Sequence, residues 1–102
     1  MNKQYINGRW VDAMDENTYD LLNPATEELL RTISYGNGKD CVMAIEAARI
    51  AFKKWRLTTP YMRAAILKKA ADHLRENLEE IAHDMVLESG KPLAEARGEF
   101  MV

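Results

Sequence analysis

The side chains that could act as nucleophiles, bases or metal ligands are few and lie far apart in the sequence. Cys41 is the only cysteine, and His73 and His83 are the only histidines. Cys41 falls in the first turn of a predicted helix, where the pKa of a thiol can be lowered. Its neighbours Lys39 and Asp40 carry opposite charges, and no oriented base is in view. We therefore interpret Cys41 as a small, half-buried structural residue and assign the chain no catalytic residue.

The residue pattern gives little support for a metal site or a phosphate-binding loop. The two histidines have no acidic or thiol partners at the spacing used by zinc sites. The segment GNGK, residues 36–39, resembles part of a phosphate-binding loop but lacks the complete Gly-x-x-x-x-Gly-Lys-Ser/Thr pattern. We interpret it as a turn between a strand and a helix. Trp10 and Trp55 are expected to be core or interface residues rather than platforms for stacked bases.

Composition restricts the class of protein further. The 102 residues carry a net charge of −2, with 47% apolar and 29% charged residues, which is typical of one small soluble domain. One cysteine cannot form a disulfide within the chain. The segment MNKQYINGRW lacks the apolar run of a secretory signal, and no stretch approaches the ~20 apolar residues of a membrane span. These features predict a cytoplasmic protein with neither nucleic acid nor membrane as a partner.

Residues 1–37 are rich in β-formers and turn residues, and they predict strands at about 5–12, 19–24 and 28–35. Asn7-Gly8 is a strong hairpin signal, but the run before it is short. We therefore predict one strand with a turn or bulge at Gly8. The second strand ends before Pro24, which forces Asn23 out of the helical region.

Residues 38–102 predict three or four helices, at about 40–56, 60–76, 78–89 and 92–102, so that the fold class is α+β. Thr59 and Pro60 suit the start of the second helix, and Gly90 suits the left-handed end of the third. The second and third helices fit either one long helix or two, and we favour a break near 76–78. Four alanines in the first helix form a strip that lets another backbone or helix approach closely; they are Ala44, Ala47, Ala48 and Ala51.

Several stretches together resemble the amino-terminal segment of the aldehyde dehydrogenase superfamily. They are YINGRWV, the Asn23-Pro24-Ala25-Thr26 turn with Glu28, AIEAARIAFKKW, Arg63 with Leu67, and residues 88–96, ESGKPLAEA. The stretches occur in the family's order along all 102 residues. WRLTTPYMRAAIL and LAEARGEF favour the succinate-semialdehyde dehydrogenase branch. The resemblance implies that residues 1–102 are a single amino-terminal fragment, with a β-rich part at 1–37 and a helical part at 38–102.

The resemblance implies an oxidoreductase that uses NAD or NADP to convert an aldehyde to an acid. In that family a cysteine thiolate attacks the carbonyl, hydride passes to the cofactor, and water activated by a glutamate releases the acid. The catalytic cysteine, that glutamate, the oxyanion-holding asparagine and the cofactor contacts all lie beyond position 102. Cys41 matches none of them. The chain alone is therefore expected to bind no cofactor and to be inactive.

Two further expectations follow from the resemblance. Many relatives hold a monovalent cation with a backbone carbonyl before the Asn-Pro turn and an acid after the Gly-Lys-Pro-Leu stretch, which here are Leu22 and Glu99. Oxygen ligands suit such a hard cation, but a third ligand would lie in absent sequence, so the site in this chain is expected to be empty or absent. The apolar stripes at 44–51 and 67–85 are expected to drive self-association.

The alternatives to an aldehyde dehydrogenase fragment are a stand-alone α+β interaction module and a purely structural fold.

Overall fold

A computed structural model describes residues 2–101. Contacts divide these residues into two compact units. Unit 1 comprises the residues up to Leu21 together with Arg31–Thr58, and unit 2 comprises Leu22–Leu30 together with the residues from Thr59 onward. The described residues form four helices and two small antiparallel sheets, which confirms the α+β class.

The first sheet is a hairpin of β1 (Gln4–Ile6) and β2 (Arg9–Val11), paired antiparallel with Tyr5 opposite Trp10. The single strand predicted at about 5–12 is instead two short strands, and the turn or bulge predicted at Gly8 is the turn that joins them. Asn7 and Gly8 both have positive φ, 52° and 77°, the conformation that reverses a two-residue hairpin with the correct twist. The rings of Tyr5 and Trp10 lie 5.0 Å apart between centroids, and this cross-strand pair compensates for the shortness of the strands.

The second sheet pairs β3 (Thr18–Leu22) with β4 (Leu29–Ser34). The turn between them begins at Asn23, whose side-chain oxygen accepts a hydrogen bond from the backbone N–H of Ala25 at 2.9 Å. The backbone N–H of Asn23 donates to the carbonyl of Glu28 at 2.9 Å. Asparagine favours such local bonding, which ends the strand at the residue before it.

The first helix, α1 (Gly38–Trp55), begins two residues before the predicted start at 40 because Asn37 caps it. The Asn37 side-chain oxygen accepts from the backbone N–H of Lys39 at 2.8 Å and of Asp40 at 3.4 Å. The Asp40 carboxylate accepts in return from the Asn37 backbone N–H at 2.9 Å. This reciprocal arrangement is a capping box, and it satisfies donors that a helix start would otherwise leave free. The GNGK segment, residues 36–39, therefore connects β4 to α1, as predicted, and its Asn37 caps the helix, which was not predicted.

The next two helices are α2 (Pro60–Glu76) and α3 (Leu78–Ser89), with bounds that confirm the sequence prediction. The Thr59 hydroxyl accepts from the backbone N–H of Met62 at 3.2 Å, and so caps α2. Asn77 has φ −107° and ψ 16°, which breaks the helical path at the predicted place. Gly90 ends α3 with φ 73°, in the left-handed conformation predicted for it.

The last helix, α4 (Leu93–Glu99), is shorter than the predicted 92–102. Phe100 and Met101 instead donate to the carbonyls three residues before them, at 3.2 and 3.1 Å, which is the tighter pattern of a fraying helix end. Gly98 weakens the last turn because glycine has low helix propensity. Val102, the end of the predicted helix, lies outside the described residues.

The buried interior of the described residues is very small. Its hydrophobic members are Ala13, Ala82 and Ala96, and its polar member is Asp40, all at 3% exposure or less. Large apolar side chains, which a stable domain normally buries, are exposed instead. Trp10 and Trp55 are 52% and 37% exposed, so neither belongs to a core in this structure.

The total accessible surface is correspondingly large, at 8258 Å² for a chain of 11.7 kDa. A folded monomer of this mass exposes about 5,900 Å², and two separate domains of half the mass together expose about 7,100 Å². The excess is therefore about 1,200 to 2,400 Å², whichever reference is used. The chain therefore exposes more surface than one or two closed domains of its mass would.

Candidate functional site

An extensive apolar surface of unit 1 lies along α1, in three open grooves that we call the α1 grooves. The first has a volume of about 470 Å³ and lies between the β1–β2 hairpin and the helix. The second, of about 310 Å³, has the predicted alanine strip as one wall and the hairpin turn as the other. The third, of about 540 Å³, lies at the end of the helix, beside Phe52 and Trp55.

Most of the side chains that line these grooves are apolar. The main contributors are Ile6, Val11, Val42, Met43, Ile50, Phe52, Trp55 and the four alanines of the strip. Val42 is 65% exposed and Phe52 is 57% exposed, so the grooves are open to solvent. An open, contiguous apolar surface of this kind is typical of a protein–protein contact rather than of a small-molecule site.

Beside the first turn of α1, a buried carboxylate joins the amino-terminal residues to the helix. Asp40 is 2% exposed. Its oxygens accept hydrogen bonds from the backbone N–H of Met14 at 3.1 Å and from the Gln4 side chain at 3.2 Å, in addition to the cap bond from Asn37. The Asn37 backbone N–H, above all, lowers the pKa of Asp40 below its ordinary value, and the Gln4 and Met14 donors add to this effect.

In unit 2, α3 packs against α4, and each of the two helices buries one alanine. Ala82 on α3 and Ala96 on α4 are both fully buried. At the surface of the same unit, the Arg97 guanidinium binds Glu79 through two nitrogens, with Nη2 2.6 Å from Oε2 and Nε 3.0 Å from Oε1. The hydrogen bond from Arg97 holds the pKa of Glu79 below its ordinary value.

The structure places the predicted cation ligands at the ends of two elements of unit 2. Leu22 ends β3 and is 48% exposed, and Glu99 ends α4. The Lys91 ammonium donates to Oε1 of Glu99, so a cation would have to compete with this ion pair. Among residues 2–101 no group of three His, Cys, Asp or Glu side chains is arranged to hold a metal ion. A role of Leu22 and Glu99 in holding a cation stays a prediction.

Comparison with known proteins identifies the family. The model of the aldehyde dehydrogenase family matches residues 10–102. The chain belongs to the aldehyde dehydrogenase family. The resemblance found in the sequence is therefore confirmed.

Several curated aldehyde dehydrogenases are similar over nearly the whole chain. Malonate-semialdehyde dehydrogenase 1 of Shouchella clausii is 39% identical over 97 residues, which are 95% of this chain and 20% of that protein. Glutarate-semialdehyde dehydrogenase of Pseudomonas putida is 42% identical over 96 residues, which are 94% of this chain and 20% of that protein. The chain thus spans about one fifth of the length of the curated relatives that it matches.

Solved aldehyde dehydrogenases have the same fold over this segment. Succinate-semialdehyde dehydrogenase from Burkholderia pseudomallei has a TM-score of 0.95 and 39% identity, covering 99% of this chain and 21% of the other. Betaine aldehyde dehydrogenase from Staphylococcus aureus, in complex with NAD+, also has a TM-score of 0.95, with 35% identity over 99% of this chain and 20% of the other. The two small sheets and four helices are therefore a segment of the aldehyde dehydrogenase fold.

The candidate chemical residues of this aldehyde dehydrogenase segment do not come together in one site. Cys41 is exposed, so the expectation of a half-buried thiol was wrong. His73 is exposed and lies 3.7 Å from Glu76 of its own helix, while His83 is exposed on α3. In the part of the chain that the structure describes, no helix is long and apolar enough to cross a membrane.

Sequence reasoning missed the role of Asp40. The Asn-x-x-Asp spacing of Asn37 and Asp40 before an apolar helix was a readable capping signal. The bonds from Gln4 and Met14 had no such signal, because they join residues 36 and 26 positions apart. They depend on the hairpin at 4–11, which was predicted as a single strand.

Proposed function

We propose that this chain is the amino-terminal scaffold segment of an NAD(P)-dependent aldehyde dehydrogenase and has no dehydrogenase activity by itself. The observation that carries the proposal is the accessible surface of 8258 Å² in a chain that matches one fifth of its relatives' length. A standard protein–protein interface hides about 800 Å² on each partner, so the excess of at least about 1,200 Å² is enough for an extensive covering layer.

The apolar side chains of α1 support a scaffold role. Val42, Ile50 and Phe52 are each more than half exposed, along a helix whose cap and length are well defined. A helix of this kind costs free energy while its apolar face is in water, and it gains free energy when another layer covers that face. In the proposed enzyme the covering layer is the remaining four-fifths of the polypeptide.

The proposed reaction is the oxidation of an aldehyde to the acid by a full-length enzyme of this family. The chemistry requires an activated thiolate and a base, together with a bound dinucleotide that accepts hydride. We propose that these groups, and the NAD or NADP site, belong to the part of the enzyme outside this segment. The NAD+ complex of the Staphylococcus aureus relative supports a nicotinamide cofactor.

For the substrate we propose a short aldehyde that carries a carboxylate at its other end, such as succinate semialdehyde. The names of similar relatives support this class, since they include malonate-, glutarate- and succinate-semialdehyde dehydrogenases. The proposal keeps the cytoplasmic location that was predicted from the sequence.

The first experiment measures dehydrogenase activity of the purified 102-residue chain. Reduction of NAD+ or NADP+ is followed with succinate, glutarate and malonate semialdehydes, and none is expected. The second co-expresses the chain with Pseudomonas putida glutarate-semialdehyde dehydrogenase lacking its matching amino-terminal region. Co-purification and restored activity are expected. Turnover by the chain alone would contradict the proposal, and so would failure of the two parts to associate.

A matched pair of variants tests whether the α1 grooves make the contact. Ile50→Glu puts a charge in the first groove and is expected to abolish restoration. Lys53→Gln changes the net charge by the same amount on the exposed surface of the same helix and is expected to leave restoration intact. Equal behaviour of the two variants would exclude this face as the contact.

The second candidate function is a stand-alone α+β interaction module that self-associates through its exposed helix faces. The open α1 grooves favour it, because a second copy could cover them as well as a longer polypeptide does. Size-exclusion chromatography with light scattering is the test. A concentration-dependent dimer that Ile50→Glu dissociates would support this candidate, whereas a monomer with a cooperative melt would oppose it.

A further inference from the structure

Residues 2–17, which we call the N-terminal strap, are tied at both ends to the segment that leads into α1. The carbonyl of Asn2 accepts a hydrogen bond from the backbone N–H of Ser34 at 2.6 Å. The carbonyl of Asn17 accepts one from the backbone N–H of Tyr35 at 2.8 Å. The strap therefore forms a loop whose two ends lie beside the end of β4.

The middle of the strap is held by Asp40. The Gln4 side chain donates to Oδ1 at 3.2 Å from β1, and the Met14 backbone N–H donates to the same oxygen at 3.1 Å. A carboxylate that is 2% exposed must have such partners, because burying an unpaired charge is costly. Asp15, the strap residue next to Met14, accepts a bond from the Asn37 side chain at 2.8 Å and so adds a contact at the helix cap.

A glycine leaves the space that this contact needs. A Cβ atom built at Gly36 would lie 2.2 Å from Oε1 of Gln4 and 3.3 Å from Cβ of Asp40. The first distance is far below any van der Waals contact, so a side chain at position 36 would displace Gln4 from the carboxylate. Gly36 has no need for positive φ here; its lack of a side chain is what the packing uses.

We propose that Asp40 is a positioning residue that latches the N-terminal strap to the start of α1. Because the strap carries the β1–β2 hairpin, the latch fixes the hairpin that forms one wall of the first two α1 grooves. The role differs from helix capping, which requires only the bond from Asn37. Release of the latch frees the strap, removes that wall and leaves the alanine strip uncovered.

The test is hydrogen exchange of the full 102-residue chain carrying Asp40→Asn. The asparagine side chain has one acceptor oxygen, whereas the carboxylate has two. Its NH2 group would face the N–H donors that now bind the carboxylate, so it cannot replace it. We expect the backbone amides of Met14, Ser34 and Tyr35 to exchange on the order of tenfold faster. Amides in α3 should be unchanged, since they belong to unit 2. The control is Asp72→Asn, which removes an equal charge from an exposed carboxylate on α2 and should alter no strap amide.

A second variant keeps the carboxylate and displaces only the Gln4 side chain from it. Gly36→Ala is expected to accelerate exchange at the same strap amides while α1 keeps its capping box. In Asp40→Asn, exchange could become faster only at the first-turn amides of α1. That result would mean that Asp40 acts only as a capping residue, and it would contradict the proposed latch. Uniform acceleration in both units would overturn it as well. If Asp40→Asn does not fold, Gly36→Ala decides, and unchanged strap amides in that variant contradict the proposal.

Discussion

The two units hold their helices in place with opposite chemistry. In unit 1 the buried side chain of α1 is a carboxylate, Asp40, which accepts hydrogen bonds from three other residues. In unit 2 the buried residues of α3 and α4 are Ala82 and Ala96, and the ion pairs of that unit lie at the surface. Among residues 2–101, neither unit fully buries a large apolar side chain of the kind that closes the core of an independent domain.

This difference determines what each unit tolerates. A hydrogen-bonded carboxylate is specified by its charge and its acceptor oxygens, so an isosteric amide is a severe change and a volume change is not the issue. A buried alanine is specified by volume, so a larger apolar residue is the severe change. Substitutions of the two kinds should therefore have different effects in the two units.

The largest expected effect is overpacking at the buried alanine of α4 in unit 2. Ala96→Leu introduces three further carbons at a fully buried position and is expected to lower the free energy of unfolding by about 1–3 kcal/mol. Urea denaturation followed by circular dichroism measures the change. Ala94→Leu on the same helix is the control, since Ala94 is exposed and has space for the longer side chain. Equal losses in the two variants would mean that the contact between α3 and α4 is not close-packed.

Somewhat smaller is the effect of a side chain at the end of α3. Gly90→Ala forces alanine into the left-handed conformation at φ 73° and places a Cβ 3.3 Å from Cγ of Pro24. The expected loss is about 1–2 kcal/mol in the free energy of unfolding. Gly98→Ala lies in α4 with open space around it and should instead be neutral or stabilising by up to ~1 kcal/mol. Two changes of the same sign in thermal melts would refute this interpretation.

A third prediction concerns the start of α2, where the capping is simpler than in α1. Thr59→Ala removes the oxygen that accepts from Met62 and should cost about 1 kcal/mol. Thr59→Ser keeps the oxygen and should retain most of the stability. Unlike Asp40→Asn, neither variant should change exchange in the strap. Acceleration at Met14 in Thr59→Ala would show that the units do not respond separately.

Local signals in the sequence were enough to predict the helices. Thr59, the break beside Asn77 and the left-handed Gly90 each act within a few residues, and the bounds of α2 and α3 follow from them. The hairpin at 4–11 was predicted as one strand because local signals alone did not show that its two short strands would pair. Asn7-Gly8 gave the correct local signal, but the aromatic pair of Tyr5 and Trp10 stabilises the short strands only after they have paired.

The candidate site could not be derived in the same way. The α1 grooves follow from the apolar period of the helix, but their exposure depends on what covers them, and the stripe alone does not reveal that. Asp40 accepts a hydrogen bond from the backbone N–H of Met14. Every residue except proline has such an N–H, so the identity of residue 14 does not predict this bond. The architecture could be expected from the family resemblance, whereas the proposed latch could be inferred only from contacts in the structure.

The smallest effect is expected from mild acid, and its sign follows from the lowered pKa of Asp40. The ordinary pKa of an aspartate is 3.8, and the folded value lies below it. Stability contributed by the carboxylate is therefore fully present above 3.8 and is lost as pH falls through the lower folded value. From about pH 7 to about pH 5, strap exchange should change only by the intrinsic dependence of amide chemistry on pH.

Below about pH 5, the stabilisation by carboxylates is expected to depend on salt in unit 2 but not in unit 1. Asp72 on α2 also has a lowered pKa, chiefly because Lys68 donates to it, but this pair is exposed and is screened by added salt. Asp40 is buried among uncharged donors, and salt should leave its contribution unchanged. Acid titrations of amide exchange at low and high salt measure both. Since Asp40→Asn has no carboxylate at this position, its strap should show no acid transition. An acid transition in this variant as large as that of the original chain would assign the pH dependence to other groups, of which Asp15, beside the strap contact, is the first to examine.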